Sequence, residues 1–138
     1  MKHTTINLPF SVGISPTLHI RGLIAGRIIK KNETIERCPI ILIDKKEEPH
    51  LKQTTLWRYY YEWNNTRHCI VLGYASLINH SYKPNAIYSF DYKNKNLIFK
   101  AIKNIKSGEE ILVNYNQDPD SKAPLETILT DFNSHRPT

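Results

Sequence analysis

Residues 77–85 read Leu77-Ile78-Asn79-His80-Ser81-Tyr82-Lys83-Pro84-Asn85, and residues 106–115 read Lys106-Ser107-Gly108-Glu109-Glu110-Ile111-Leu112-Val113-Asn114-Tyr115. The first stretch sets two apolar residues before a dense run of Asn, His, Ser and Asn. Asn and Ser can satisfy buried main-chain groups in a tight irregular loop, and Pro84 stiffens it while removing one donor. The second stretch is a polar turn feeding a strand, in which Ile111, Val113 and Tyr115 alternate with Glu110, Leu112 and Asn114. That strand delivers the Tyr115 phenol to one face. Nearer the N-terminus, Arg21-Gly22-Leu23-Ile24-Ala25 carries a glycine that lets the backbone approach a ligand or another strand closely.

Outward from these stretches the chain alternates short strands with polar turns. Tyr88, Phe90 and Tyr92 alternate with Ile87, Ser89 and Asp91, Lys93–Asn96 suits a hairpin loop, and Leu97–Lys103 forms the returning strand. Gly22–Ile29 is rich in β-branched residues, Thr34–Ile43 reads as an extended segment interrupted by Pro39, and His68–Leu72 as a short apolar strand. Leu56, Tyr59, Tyr60 and Trp63 fall at i, i+3, i+4, i+7, which predicts one main helix over Leu51–Trp63 with that face against a sheet. A mostly-β domain of several small sheets results.

Composition narrows the class. With 138 residues, 40% hydrophobic and 23% charged, the chain suits a single cored domain. No apolar run approaches the roughly 20 residues that span a bilayer, and Met1–Asn7 lacks the apolar segment of a secretory signal, so no membrane association and a cytoplasmic location are expected. Cys38 and Cys69 are too few for a disulfide framework or a four-thiolate zinc site, and His50, His68 and His135 have no partners at metal spacing and read as surface residues. Residues 1–115 hold 17 Lys and Arg against 9 Asp and Glu, while residues 116–138 hold 2 against 4. The basic body can attract polyanions, but its lysines are scattered, and no aromatic–basic strand pattern of the kind that stacks bases is present. Nucleic acid is therefore not expected as a direct ligand.

The pair Asn79-His80-Ser81-x-x-Pro84-Asn85 and Gly108-Glu109-Glu110-Ile111-x-x-Asn114-Tyr115, with Arg21-Gly22-Leu23-Ile24-Ala25 ahead of it, resembles a SET domain, the β-fold of protein lysine methyltransferases that use S-adenosylmethionine. The resemblance covers about residues 15–116, leaving 1–14 as a lead-in and 117–138 as a C-terminal tail covering the active site; the compact length resembles the small stand-alone members of bacteria and large viruses. It implies a β-clip (SET) fold with a knot-like C-terminal threading that makes the Asn79 and Tyr115 stretches neighbours. It also implies direct methyl transfer to a lysine ε-amine of a protein substrate, S-adenosylhomocysteine as product, and no metal. The cofactor-binding positions it implies are Ile20, Arg21, Gly22, Asn79, His80 and Tyr115, and the catalytic ones Tyr115 and Tyr88, the latter lining the lysine channel. A histone-directed enzyme would be nuclear, and export as an effector is a further possibility.

Two departures from the family pattern matter. Ile20 stands where the family's loop usually has the first of two glycines, and the cysteine-rich segment that follows many eukaryotic SET domains is absent. The tail, with Leu125, Ile128, Leu129 and Phe132 at helical spacing, is expected to cover the cofactor instead, or a homodimer to complete the channel. Structural alternatives stay open: a hydrogen-bonded core histidine at position 80, core aromatics at 88 and 115, and a catalytically inactive SET-like binding module for the whole chain.

Overall fold

Short runs of β-branched and aromatic residues punctuated by polar turns favour extended structure throughout. The computed structural model describes residues 7–125. Among these the chain forms nine strands, β1 (Phe10–Ile14), β2 (Arg21–Ala25), β3 (Thr34–Asp44), β4 (Tyr60–Glu62), β5 (Arg67–Val71), β6 (Asn79–His80), β7 (Ala86–Asp91), β8 (Asn96–Ala101) and β9 (Glu110–Val113), with one helix, α1 (Glu48–Leu51). They make two sheets, a four-stranded one in the order β1-β2-β9-β6 and a five-stranded one in the order β4-β5-β3-β8-β7. The mostly-β architecture of small sheets is as expected.

β3 organises the larger sheet. It runs unbroken through Pro39, where an interruption was expected, because the proline falls where the strand changes partner. Residues 34–39 pair with β8 and residues 40–44 with β5, so a missing N–H at the junction removes no ladder bond. Beside that junction, Cys38 Sγ–H and the Ala75 N–H both donate to Glu36 Oε1, at 3.0 and 2.8 Å. Gly73 covers the trio, and a Cβ there would lie 2.6 Å from Cys38 Sγ. Both cysteines are buried and unbridged.

The segment read as the main helix departs most from expectation. The helix is short and earlier, and residues 55–58 form a 3-10 turn before β4 pairs with β5 through Tyr60, Tyr61 and Glu62. Leu56, read as part of the buried face, is exposed. A dense aromatic run satisfies helical spacing by coincidence, while Thr54, Thr55 and the tyrosines favour extended backbone and β5 offers a free edge. His68 on β5 is buried rather than exposed: Glu48 Oε2 lies 3.1 Å from its Nε2, and Trp57 and Tyr60 meet its ring edge-on. His50 is exposed as expected, and His135 lies outside the described residues.

β4 and β7 are the two outer strands of the five-stranded sheet, yet their side chains meet. Tyr61 packs edge-on against Tyr88 with ring centres 5.0 Å apart, and Trp63 meets Phe90 and Tyr92 at 5.6 and 4.8 Å. The sheet therefore curls until an aromatic seam joins its edges, leaving Phe99, Leu97 and Cys38 fully buried within. Replacing buried Trp63 by Ala should cost about 3–5 kcal/mol of stability in a urea titration, while Tyr92→Ala, at the exposed end of the seam, should cost under about 1 kcal/mol. Similar costs for the two would mean that the seam does not close the sheet.

Candidate active site

The two motif stretches meet along β6 and β9. These strands pair in parallel, Asn79 opposite Leu112 and His80 opposite Val113. β9 is flanked by β2 along its other edge, and alternate residues on both of its faces are buried, Glu110 and the following Asn114 among them. Asn85 fastens the intervening loop from both ends of its amide: Nδ2 donates to the Glu110 carbonyl at 2.8 Å, and Oδ1 accepts from the Leu112 N–H at 2.8 Å.

Glu110 is the residue the sequence motif did not mark out by role. Its Oε1 accepts from the Ser15 hydroxyl at 2.6 Å and its Oε2 from Asn79 Nδ2 at 2.8 Å, all three residues being buried. Asn79 Nδ2 also donates to the Arg21 carbonyl at 3.0 Å. One carboxylate thus joins the N-terminal loop, β6 and β9. The signal was present in the alternation of Glu110 with Ile111 on a strand that turns out to have no solvent face. Gly22 sits over this junction: a Cβ would fall 2.6 Å from Glu110 Oε2 and 2.9 Å from Asn79 Nδ2. The close approach expected at Gly22 is thus made by these two side chains.

The loop ahead of Gly22 accommodates Ile20 without a glycine. Ser15 N–H donates to the Ile20 carbonyl at 2.7 Å, His19 N–H to the Ser15 carbonyl at 3.0 Å, and Leu18 N–H to Ser15 Oγ at 3.1 Å. The left-handed residue of the loop is His19, with φ of +58°, a conformation histidine tolerates better than most. Ile20 is buried and Arg21 is exposed.

Around Tyr115 the side chains converge. The Tyr115 N–H donates to His80 Nδ1 at 3.0 Å, its hydroxyl donates to the Ile78 carbonyl at 2.7 Å, and the Tyr88 hydroxyl donates to the Tyr115 carbonyl at 3.0 Å. The His80 and Tyr115 rings lie 5.2 Å apart, and Tyr82 meets His80 edge-on at 4.5 Å. Burial lowers the pKa of His80 below the usual histidine value and raises that of Tyr88 above the usual phenol value. His80 Nε2 is buried with no hydrogen-bond partner among the described residues.

After β9 the chain doubles back over this cluster. Asn114 accepts from the Asn116 N–H and donates to the Ser121 carbonyl, and the Ala123 carbonyl accepts from both Tyr82 Oη (3.0 Å) and Asn116 Nδ2 (2.8 Å). Leu125 is buried, while Ile128, Leu129 and Phe132 lie outside the described residues.

Comparison with known proteins matches residues 20–116 to the SET domain. A fission yeast (Schizosaccharomyces pombe) protein named histone-lysine N-methyltransferase, H3 lysine-37 specific, is 31% identical over 96 residues, which are 69% of this chain and 65% of that relative. The chain therefore spans a little under two-thirds of that relative's length. Among solved structures, a candidate histone methyltransferase of Plasmodium falciparum is 36% identical, with a TM-score of 0.65 over 80% of this chain and 95% of that one. The CpSET8 protein of Cryptosporidium is 28% identical, with a TM-score of 0.60 over 77% of this chain and 56% of that one. A humanized mutant of the Chaetomium thermophilum Polycomb Repressive Complex 2, at 24% identity and a TM-score of 0.67 over 77% of this chain and 14% of that one, shares the fold.

Two outcomes follow from this geometry. Gly22→Ala should push Glu110 and Asn79 apart and cost about 1–3 kcal/mol, measured by chemical denaturation; an unchanged midpoint would mean the junction yields freely. The second concerns His80, whose folded pKa lies below its unfolded value of about 6.5. The unfolded chain takes the proton first, so the stability contributed by the neutral ring is complete above that value and is lost as pH falls through it toward the folded pKa. Protonation also abolishes the Nδ1 acceptor that Tyr115 uses. Stability should therefore fall as pH drops below about 6.5, and His80→Asn, which keeps an acceptor but cannot titrate, should flatten that part of the curve. Equal slopes for the two proteins would sink this assignment.

Proposed function

The chain belongs to the SET-domain family, and from that premise we propose that it is a protein-lysine N-methyltransferase using S-adenosylmethionine, transferring a methyl group directly to a lysine ε-amine. The observation that carries the reading is the Tyr115 cluster, in which three hydrogen bonds, from the phenol, its own amide and Tyr88, fix one tyrosine relative to His80 and Ile78. The residues present suit such a cofactor. His80 Nε2 is a buried polar atom without a partner among the described residues, and the hydrogen bonds fixing this cluster are made by main-chain groups, phenols and an imidazole, with no lysine or arginine side chain among them to repel a cation. The main chain of Ile20–Gly22 and of Asn79–His80, together with Tyr115, would hold it. When bound, S-adenosylmethionine supplies a methyl group already activated on a sulfonium.

The work left to the protein is alignment more than acid–base chemistry. Because the Tyr115 hydroxyl spends its proton on the Ile78 carbonyl, its oxygen lone pairs can accept weak C–H contacts that orient a methyl group. Tyr88, buried against Tyr61 and Phe99, stiffens the wall and anchors the Tyr115 carbonyl. An apolar, aromatic passage holds the stem of a lysine and strips water from its amine. Desolvation lowers the amine pKa from about 10.4 and so favours the neutral nucleophile. Asn79 serves from within, since its amide nitrogen is committed to Arg21 and Glu110. The hydrogen bond from Tyr82 to the Ala123 carbonyl supports a role for the 117–125 segment as the cover of this side of the site.

The substrate class proposed is a histone or another protein with an accessible lysine, in keeping with the names of the relatives, and the location nuclear or cytoplasmic accordingly. The alternative, a SET-like binding module without turnover, draws on Ile20 in place of glycine. With labelled S-adenosylmethionine and histone as substrate, Tyr115→Phe should lower turnover by about tenfold to several-hundredfold, a loss of roughly 1.4–3.5 kcal/mol in transition-state stabilisation, while circular dichroism stays unchanged. Equal turnover would remove Tyr115 from the mechanism. Calorimetric binding of S-adenosylhomocysteine without methylation of any histone or ribosomal protein offered would favour the binding module.

A further inference from the structure

Five of the thirteen lysines, from two distant stretches of the sequence, are brought together by the fold. Ile29 and Ile105 form an antiparallel bridge, exchanging both main-chain hydrogen bonds at 2.8 Å. That bridge brings Lys30 and Lys31 beside Lys103 and Lys106, and Lys31 N–H donates to Asn104 Oδ1 at 2.9 Å. Asn32 N–H donates to the Ala101 carbonyl, Ala101 N–H to the Glu33 carbonyl, and Lys100 stands opposite Thr34 where β3 begins and β8 ends. All five lysines are exposed. The carboxylates here are Glu33, clamped by Arg27 at 2.7 Å, and Glu109, which accepts from the Lys106 N–H. The cations of this end therefore outnumber its carboxylates six to two.

We propose that this end of the molecule is a docking surface for double-stranded DNA, bound through its phosphate backbone without regard to sequence. Lysine is depleted where proteins dock on proteins but serves well as a point charge on phosphate. Ile28 is the one large apolar side chain exposed among these segments, too little for the apolar centre that a protein partner would need. Residues 26–34 and 100–109 contain no aromatic side chain, which removes the stacking platform that single strands require. The Asn104 side-chain oxygen Oδ1 already accepts from the Lys31 main-chain N–H, so the surface offers charges more than acceptors for reading an RNA 2′-hydroxyl. The main chain beneath is hydrogen-bonded across both segments, so the charges are presented on a rigid base. The surface is separated from Tyr115 by the length of β9, roughly 15–20 Å with its flanking residues, and the proposal does not depend on the methyl-transfer reading.

The test is fluorescence anisotropy of the intact protein with a labelled random-sequence DNA duplex across about 50–200 mM salt. Five phosphate contacts predict a slope of log affinity against log salt of up to about −4.5. The triple variant Lys30→Gln, Lys31→Gln, Lys103→Gln should weaken binding at least tenfold at fixed salt and make the slope shallower by about 2.7. Lys46→Gln, Lys93→Gln, Lys122→Gln removes the same net charge from exposed positions elsewhere, and should leave the slope within about one unit of the parent. Thermal unfolding of both variants checks that they fold, as their exposed positions require. The proposal fails if the parent protein does not bind the duplex, or if the two triples weaken binding equally. It also fails if an RNA duplex or polyglutamate displaces the DNA at equal charge concentration.

Discussion

A carboxyl group buried with no cation beside it among the described residues is the constraint on which the rest of this structure depends. Glu110 is held by a hydroxyl and an amide instead of a positive charge, and burying a carboxylate is costly unless every lone pair finds a donor. The donors come from Ser15 and Asn79, far from Glu110 in sequence, so its oxygens are satisfied only once the N-terminal loop, β6 and β9 have come together. Gly22 completes the arrangement by having no side chain in the space the carboxylate and amide occupy. Any sequence that keeps Glu110 must therefore also keep a small residue at 22 and donors at 15 and 79, which makes these positions a single unit of specification.

Much of this was legible in the sequence, for physical reasons that differ by element. The β7–β8 hairpin follows directly from alternation of Tyr88, Phe90 and Tyr92 around a polar turn, because period-2 patterning and pairing register are the same fact. The meeting of Asn79 with the Tyr115 strand was legible only through the family resemblance that the two motifs carry, since no local pattern in either stretch points to the other. Residues 51–63 were misread because aromatic density fits both helical and strand spacing, and what decides between them is the free edge of β5, which no local window contains. His68 was misplaced for the same reason: its partners Glu48, Trp57 and Tyr60 come from three neighbouring elements. Pro39 was read as an interruption because a lone strand has no visible partner change.

At this site buried side chains spend their hydrogen bonds on fixing main chain. Asn79 and Glu110 spend their polar atoms on one another and on Arg21 and Ser15, fixing the path of the Ile20–Gly22 and Asn79–His80 backbones. Those two backbones are the ones proposed above to hold the cofactor. The departure at Ile20 is absorbed in the same way. The strained conformation moves to His19, Ser15 supplies the loop's hydrogen bonds, and Ile20 turns its side chain into the interior. A glycine there is one solution to a tight loop; a serine-pinned loop with a left-handed histidine is another.

Charge is divided along the molecule in a way that composition alone conceals. Five of the thirteen lysines collect where β3 begins and β8 ends, whereas Asp118 and Asp120, with Lys122, ride on the segment that Ala123 fastens to Tyr82, beside His80 and Tyr115. A uniformly basic body would repel a basic peptide arriving at Tyr115, but what such a peptide meets is the local field, screened beyond about 10 Å at moderate salt. Within that range the carboxylates of the returning segment count for more than the net charge of the chain. The two ends can therefore attract opposite partners, a cationic lysine-bearing segment at one and a polyanion at the other, without either interaction opposing the other.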